Sequence, residues 1–338
     1  MNGQHPAPVE ESSVVARRRR TLASFIAMAL LAALGAPAAA FPVRPVRIIV
    51  AGPAGATADV TARLLADGLA KELGQPVIVD PRPGAAGAIA VNELRAAPRD
   101  GHTLLVAVNS LVSEVPHIIK LKHDMAREIR PLAELARGGL VLVATPSFPA
   151  NTLPELVREA KANPGKLTYA SYSPGTMSHI LGLQLNRAAG IDLVHAGYKG
   201  ATPALADVMG GHVPLMFDSV PSALPLIRAG KIKALAVSTP ARSALLPQVP
   251  TFSELGYPQL EALAWLGLWA TPDVPAAVQA RVREAALRVM ASPEARAKLR
   301  ETGFEPGQPR STEDMQRLLR SDYERVGTLL KSIDFKPE

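Results

Sequence analysis

Residues 46–80 read VRIIVAGPAGATADVTARLLADGLAKELGQPVIVD, and their pattern predicts the fold class. VRIIV is a mostly apolar run of the kind found in fully buried strands. Leu65, Leu69 and Leu73 then recur at helical spacing, and Gly74 follows where a helix C-terminal cap belongs. PVIVD supplies a second strand, so this stretch predicts a parallel sheet with a right-handed crossover.

The alternation of strand and helix continues along the chain. GAAGAIAVNELRAA predicts a second helix and HTLLVAV a third strand, and LPELVREAKANPG is a helix that opens a second unit. The predicted strands of that unit are LTYAS, IDLVHAG, VPLMFDS and KALAVS, with helices between them. LGLWATPDVP is a further strand, and helices starting near Ser292 and Ser311 follow it. We therefore expect two α/β domains with a helical tail.

The composition limits the functions open to the chain. Its 338 residues are 48% hydrophobic, which suffices for two domains with a sizeable core. The net charge of +7 is diffuse and aromatic residues make up 4%, which argues against a nucleic-acid stacking surface. The chain has no cysteine, so disulfides and thiolate chemistry are excluded. Its seven histidines show no ligand spacing, and we expect neither a metal nor a cofactor.

The N-terminus predicts export. Four arginines at 17–20 precede an apolar stretch at 22–34, and three alanines at 38–40 offer a cleavage site before Phe41. The apolar stretch is too short for a membrane span, which needs about 20 residues. We predict that residues 1–40 are a signal peptide that is removed and that the mature protein is periplasmic. The Sec route is favoured over the twin-arginine route, which the arginine run would also permit.

A Gly-rich turn between the first strand and the first helix is a candidate anion site. In AGPAGATAD, from Ala51 to Asp59, backbone N–H groups at the helix start would face a ligand. A dinucleotide fold would need G-x-G-x-x-G here, but only Gly52 and Gly55 are present, so NAD is not expected. The alternative is that the glycines serve a tight turn and that Asp59 compensates the helix dipole.

A second candidate is YASYSPGTMSH, in which Ser178 and His179 suggest a hydrolase nucleophile and its base. Adjacent residues on a helix point about 100° apart and cannot easily pair. The G-x-S-x-G turn of a nucleophile elbow is also missing. The residue pattern therefore argues against hydrolysis.

A helix N-terminus is a better interpretation of the same stretch. Ser171 or Ser173 would cap the helix, and the amides of Gly175 and Thr176 would remain unpaired. An anion would then supply the missing acceptor. In this interpretation His179 is a packed or hydrogen-bonded helix residue.

Two further motifs, Tyr198-Lys199-Gly200 and Phe217-Asp218-Ser219, end predicted strands. The carboxyl ends of parallel strands are where ligands bind in open α/β sheets. The structural alternatives are a solvated lysine for the first motif and an Asx turn for the second. The residues alone leave both possibilities open.

Six segments, in this order, carry a resemblance to a known family: RPVRIIVAGPAGATADVTARLLADGLAKELGQPVIVDPRPGAAG, PRDGHTLL, NPGKLTYASYSPGTMSHILG, VHAGYKGATPALADVMGGHVPLMFDSVPSALPLIRAGKIKALAVS, LPQVPTFSELG and WLGLWATP. The sequence resembles the substrate-binding proteins of tripartite tricarboxylate transporters, also called the Bug (Bordetella uptake gene) family. The resemblance covers residues 42–335.

The resemblance implies an α/β periplasmic-binding-protein fold of the type II-like kind, with two lobes and a ligand cleft between them. Lobe 1 would comprise residues 41–142 and 270–338, and lobe 2 residues 143–269. Such a protein is not an enzyme; it captures a small carboxylate and delivers it to membrane permease subunits. No nucleic-acid partner is expected, and the protein should be a monomer. A binding protein coupled to a sensor kinase is the alternative, with an exported hydrolase a remote one.

Position by position, the resemblance also implies a set of ligand contacts. They are Pro53, Ala54, Gly55, Ala56, Thr57, Ala58, Asp59, Asn109, Ser110, Ser171, Gly175, Thr176, Ser178, His179 and Asp218. The chain departs from the family pattern at Gly52, Ala56 and Ala58, where an aromatic residue, a glycine and a hydroxyl residue are usual. It departs again at AVNSLVSEVP, where small T-S-G residues are usual. The carboxylate class survives these differences, and the identity of the ligand does not follow from them.

Overall fold

The computed structural model describes residues 41–121, 123–332, 335 and 336. The predicted signal peptide therefore lies outside the described residues. The elements given below belong to a single unit, residues 44–338. The strands are β1 (Val46–Val50), β2 (Val77–Pro81), β3 (Thr103–Val108), β4 (Arg130–Gly138), β5 (Leu140–Ala144), β6 (Thr168–Ser171), β7 (Val194–Gly197), β8 (Leu215–Ser219), β9 (Lys233–Val237), β10 (Ala264–Ala270) and β11 (Glu305–Pro306).

Helices follow most of these strands. They are α1 (Thr57–Leu73), α2 (Ala88–Ala96), α3 (Ser110–Ser113), α4 (Val115–Ile118), α5 (Met125–Glu128), α6 (Leu153–Ala162), α7 (Met177–Ala189), α8 (Ala201–Met209), α9 (Val220–Arg228), α10 (Ala276–Ala291), α11 (Pro293–Glu301) and α12 (Thr312–Lys331). Short 3-10 helices span Ala85–Gly87 and Pro258–Leu260. In the described ranges, no helix combines enough length with enough apolar character to cross a bilayer.

The strands form two mixed sheets, with the orders β11-β4-β10-β3-β1-β2 and β7-β6-β8-β5-β9. The predicted parallel pairing is confirmed for β1 with β2 and β3, and for β6 with β7 and β8. It is wrong for β9 and β10, which run antiparallel to their neighbours, and β4, β5 and β11 were not predicted as strands. The reason for β10 is that it re-enters the first sheet from the second and inserts between β3 and β4. β9 pairs with β5, which enters the second sheet directly from β4 through Gly139 and not through a helical crossover within its own sheet.

The chain passes from the first sheet to the second at Gly139 and returns between Val237 and Ala264. The predicted lobe boundaries, 142/143 and 269/270, fall inside β5 and β10. The division into lobes stays a prediction.

Local sequence signals position several helices as expected. Leu65, Leu69 and Leu73 of α1 are buried, and Gly74 ends the helix in the left-handed conformation at φ 70°. Ser292 and Ser311 cap α11 and α12, since each side chain accepts a hydrogen bond from an amide of the first turn. Between the sheets and their helices lies the apolar core, in which Trp269 and Phe217 are fully buried.

Candidate functional site

A cavity of about 410 Å³ lies where elements of both sheets meet. The first residues of α1 and α8 and the residue before α9 contribute to its wall. Apolar side chains from both sheets form most of the remainder. The lining residues are Thr57, Ala58, Val108, Gly138, Gly139, Leu140, Tyr172, Gly200, Ala201, Asp218, Ser219, Pro221, Ala264, Trp265, Leu266 and Phe304.

Three of the predicted contact residues, Thr57, Ala58 and Asp218, line this cavity. The other predicted residues are not part of the wall. They lie in the turn before α1 and at its third residue, at the start of α3, at the end of β6, and in or just before α7. Gly200 and Ser219, from the third and fourth sequence motifs, are part of it.

Sequence reasoning missed the aromatic side of the cavity. Trp265, Leu266 and Phe304 line it, but their sequence pattern is that of ordinary core residues. Tyr172, between β6 and α7, also lines the wall. The segment WLGLWATP is the part of the sequence that could have pointed to this side of the cavity, but its pattern predicts a strand and not a ligand contact.

The turn before α1 is held in shape by Asp59. The Gly55 amide donates to Asp59 Oδ2 at 2.9 Å, and Arg63 Nε donates to the same oxygen at 2.9 Å. The Arg63 guanidinium and the Gly55 amide hold the pKa of Asp59 below its usual range. Asp59 is buried, at 2% exposure. Its carboxylate therefore supports the turn from within.

The start of α1 presents backbone donors to the cavity. The amides of Thr57, Ala58 and Asp59 have no acceptor among the residues that the structure describes. The Ala56 carbonyl accepts from the Val60 amide, and no side chain caps the helix. These amides lie at the positive end of a 17-residue helix, where an anion is favoured.

The turn before α7 differs from the prediction. The helix begins at Met177 after Thr176, and no side chain caps it, so the predicted capping by Ser171 or Ser173 is wrong. The predicted unpaired amides are also wrong. The Gly175 amide donates to His179 Nδ1 at 3.0 Å, and the Thr176 amide donates to the Ser173 carbonyl at 3.4 Å.

Ser178 and His179 serve different partners. Ser178 Oγ donates to the Phe217 carbonyl, and the His179 ring stacks on His195 with 3.9 Å between ring centroids. Burial, and secondly the neighbouring His195, lower the pKa of His179 to about 4, so its ring is neutral at pH 7. The hydroxyl and the imidazole do not form a nucleophile–base pair.

Asn109 and Ser171 are also used within the fold. Asn109 Oδ1 accepts from the Trp265 amide at 3.0 Å, and this contact ties the end of β3 to β10. Ser171 Oγ donates to the Ser173 carbonyl at 3.1 Å and lies 2.7 Å from His195 Nε2. Both side chains therefore organise the backbone near the cavity.

Asp218 brings a buried carboxyl group to the cavity wall. Its Oδ2 accepts from Ser222 Oγ, while Oδ1 has no hydrogen-bond partner among the described residues. Burial raises the pKa of Asp218 to about 6, although the Ser222 hydroxyl and the Ser219 amide oppose this shift. The carboxyl group is 0% exposed and is therefore enclosed in the wall.

The electrostatic character of the cavity comes from the backbone. Among the described residues that line it there is no lysine, arginine or histidine, and Asp218 is the one acidic side chain. An anion bound here would be held by helix-start amides rather than by a cationic side chain. Within the described ranges, no group of three or more His, Asp or Glu side chains could hold a metal ion.

A larger cavity, of about 720 Å³, lies between residues 112–131 and α12. None of the predicted contact residues lines it. Its wall carries no helix start that the sequence analysis singled out. The smaller cavity is therefore the candidate site.

Comparisons with known proteins agree with this fold. A family profile described as "tripartite tricarboxylate transporter family receptor" matches residues 61–335. Protein BugT of Bordetella pertussis is 36% identical over 245 residues, which are 71% of this chain and 74% of BugT.

Two solved structures are similar over most of this chain. The periplasmic binding protein BugD is 28% identical with a TM-score of 0.72, covering 88% of this chain and 100% of that chain. Rpa4515 of R. palustris, solved with adipate, is 30% identical with a TM-score of 0.76, covering 88% of this chain and 100% of that chain. The fold is that of periplasmic binding proteins.

Proposed function

Because the chain belongs to the tripartite tricarboxylate transporter family of receptors, we propose that it captures a small carboxylate and delivers it to membrane permease subunits. Receptors of this family are periplasmic solute-binding proteins and not enzymes. The adipate bound to the relative from R. palustris supports the carboxylate class. The protein would act as a monomer.

The start of α1 is the observation that carries this proposal. Three successive amides, of Thr57, Ala58 and Asp59, have no acceptor among the described residues, and two of these residues line the cavity. Backbone N–H groups at a helix start bind carboxylates without a cationic partner. A carboxylate at this position would satisfy donors that the described fold leaves open.

We propose that the cavity lies between two lobes, residues 41–142 with 270–338 and residues 143–269. Thr57, Ala58 and Asp218 would then contact the ligand directly. The remaining predicted contacts in 53–59, 109–110 and 171–179 would shape the turns around it.

Export is part of the same proposal. Residues 1–40 would be removed by a signal peptidase after Sec-dependent export, leaving Phe41 as the mature N-terminus. N-terminal sequencing of periplasmic protein tests this directly. Soluble periplasmic protein that still carries the arginines at 17–20 would contradict it.

Ligand class is tested by thermal melts with mono-, di- and tricarboxylates. A ligand at 100 times its Kd adds about 2.7 kcal/mol, which raises the melting temperature of a chain this long by roughly 5 °C. At least one carboxylate should produce such a shift. If neutral sugars or cations alone stabilise the protein, the carboxylate proposal fails.

The position of the site is tested by Ala58→Pro, which removes one amide donor from the second residue of α1. Proline is tolerated in the first turn of a helix, so the fold should persist. Losing one charge-assisted hydrogen bond, worth about 1.5–3 kcal/mol, should weaken carboxylate binding by about tenfold or more.

Ala277→Pro is the matched control, because Ala277 is the exposed second residue of α10 and does not line the cavity. Calorimetry should show that the control binds as the wild type does. Equal affinity in the Ala58 variant would move the site away from α1.

A further inference from the structure

Glu114 reaches the first amide of α7. The residue lies in the kink between α3 and α4, and its Oε2 accepts from the Met177 amide at 3.0 Å. It is 8% exposed. Met177 is the first residue of a 13-residue helix, so the carboxylate of Glu114 stands where the helix dipole favours an anion.

This contact joins elements that belong to different sheets. The segment α3–α4 follows β3 of the first sheet, whereas α7 follows β6 of the second. The turn before α7 also packs closely against neighbouring elements. A Cβ added at Gly175 would lie 2.8 Å from Ile118 Cγ1 and 3.0 Å from the Phe335 ring. The Glu114 carboxylate is therefore enclosed by the fold.

The groups around Glu114 leave its charge sensitive to pH. Burial raises the pKa of Glu114 to about 7, and the Met177 amide opposes this shift. On α12, Asp322 raises the pKa of Glu114 and Arg325 lowers it. On α4, burial lowers the pKa of His117, so its neutral form is favoured. Glu114 therefore changes charge near neutral pH.

Tyr172 connects Glu114 with the candidate cavity. Tyr172 lines the cavity, and its pKa is raised first by burial and then by the charges of Glu114 and Asp218. The two carboxyl groups thus lie within electrostatic reach of the same side chain. Because Tyr172 borders the cavity, a charge on Glu114 would also act on a charged ligand held there.

We propose that Glu114 is a built-in anion that occupies the α7 start and selects against multiply charged ligands in the cavity. The proposal rests on the proposed carboxylate-binding function. The ligand carboxylate would be held at the open α1 start, and a second carboxylate would be repelled. The favoured ligands are then monocarboxylates.

The contact itself is tested without any ligand, by NMR on protein labelled with ¹⁵N-methionine. The Met177 amide, assigned by its loss in Met177→Leu, should titrate with a midpoint near 7 in the wild type, the pKa of Glu114. In Glu114→Gln this titration should disappear. A Met177 amide that does not titrate in the wild type would overturn the proposal whatever the ligand.

Charge selection is tested by calorimetry at pH 8 with hexanoate and adipate, which share a six-carbon chain and differ by one carboxylate. Two unit charges about 10 Å apart at an effective dielectric constant of about 20 change an affinity by about tenfold or more, so removing the Glu114 charge should tighten binding by up to about that factor for each ligand charge. Glu114→Gln should therefore improve adipate binding more than hexanoate binding, by up to about tenfold.

Glu313→Gln is the matched control, since Glu313 is an exposed carboxylate on α12 and does not line the cavity. It should leave the ratio of the two affinities unchanged. An unchanged ratio in Glu114→Gln would overturn the proposed selection while leaving carboxylate binding intact. If neither acid binds any of the three proteins, carboxylate capture and the selection that rests on it both fail for six-carbon acids. A Met177 amide that titrates would then support only the contact between Glu114 and Met177.

Discussion

The starts of α1 and α7 look alike in sequence and differ in the folded protein. Each follows a strand through a turn that contains a glycine with positive φ, 77° at Gly55 and 80° at Gly175. At α1 the amides of Thr57, Ala58 and Asp59 have no acceptor among the described residues, whereas at α7 the first amide is bound by Glu114. A helix start is therefore an anion site only when the rest of the fold leaves its donors open.

The surroundings of the two glycines differ in the same way. Among the residues that the structure describes, no heavy atom lies within 4 Å of a Cβ added at Gly55, whereas at Gly175 the nearest is 2.8 Å away. The turn before α1 borders open space and the turn before α7 is packed. Two glycines with the same backbone conformation can therefore differ widely in how much a substitution destabilises the protein.

The largest expected effect comes from a side chain at the packed turn. Gly175→Val combines a β-branched residue at positive φ with overpacking against Ile118, and should lower the free energy of unfolding by about 4 kcal/mol. Gly55→Val carries the backbone strain without the overpacking and should cost about 2 kcal/mol. Urea unfolding of both variants measures the difference. Equal losses would show that the two turns are equally open.

The charge at the α7 start should appear in the pH dependence of stability. The pKa of Glu114 is about 7 in the folded protein against the usual 4.5, so the folded state holds the proton longer as pH rises. The buried charge of Glu114 therefore does not lower the free energy of unfolding below about pH 4.5, and it lowers it fully above about pH 7. Relative to the wild type, Glu114→Gln should gain about 3 kcal/mol in unfolding free energy between pH 4.5 and pH 8.

This prediction uses the difference between the two proteins because His179 acts in the opposite direction. Its pKa is lowered to about 4 in the fold, so its contribution to stability is lost as pH falls from about 6.5 towards 4. That contribution is common to both proteins and cancels in the difference. A pH-independent difference in denaturant unfolding would contradict a buried, titrating Glu114.

The difference between the two helix starts should disappear when α1 carries a carboxylate of its own. Thr57→Asp places a carboxylate at the first residue of α1, which should stabilise the helix by about 0.3–1 kcal/mol and weaken carboxylate binding by about tenfold. Thr312→Asp makes the same change at the first residue of α12, away from the cavity. It should leave ligand binding unchanged. Similar affinities in both variants, by calorimetry, would mean that α1 is not the anion site.

Much of the fold could be predicted from the sequence because its signals are local. The periodicity of Leu65, Leu69 and Leu73, the cap at Gly74 and the helix starts after Ser292 and Ser311 depend on neighbours a few residues away. The antiparallel direction of β10 depends on the sheet, and the place in it, that receives the returning chain. That choice is made by long-range packing, which strand-and-helix periodicity does not report.

The candidate site was predictable to a smaller extent. Thr57, Ala58 and Asp218 were named from turns and strand ends, and they line the cavity. Their contact with a ligand stays a prediction. Trp265 and Phe304 line the same cavity, yet an apolar residue that faces a cleft has the same sequence signature as one that faces the core.

The order of strands and helices, the two glycine turns and the family resemblance all follow from residue patterns, because hydrogen bonding and periodicity within a helix or turn involve adjacent residues. Which of the two helix starts stays open does not follow from them. The acceptor at α7 is Glu114, which is 63 positions away from Met177 in the chain. Folding brings a buried carboxylate to one helix start and leaves the other facing a cavity, because packing between the two sheets decides which long-range neighbour each amide meets.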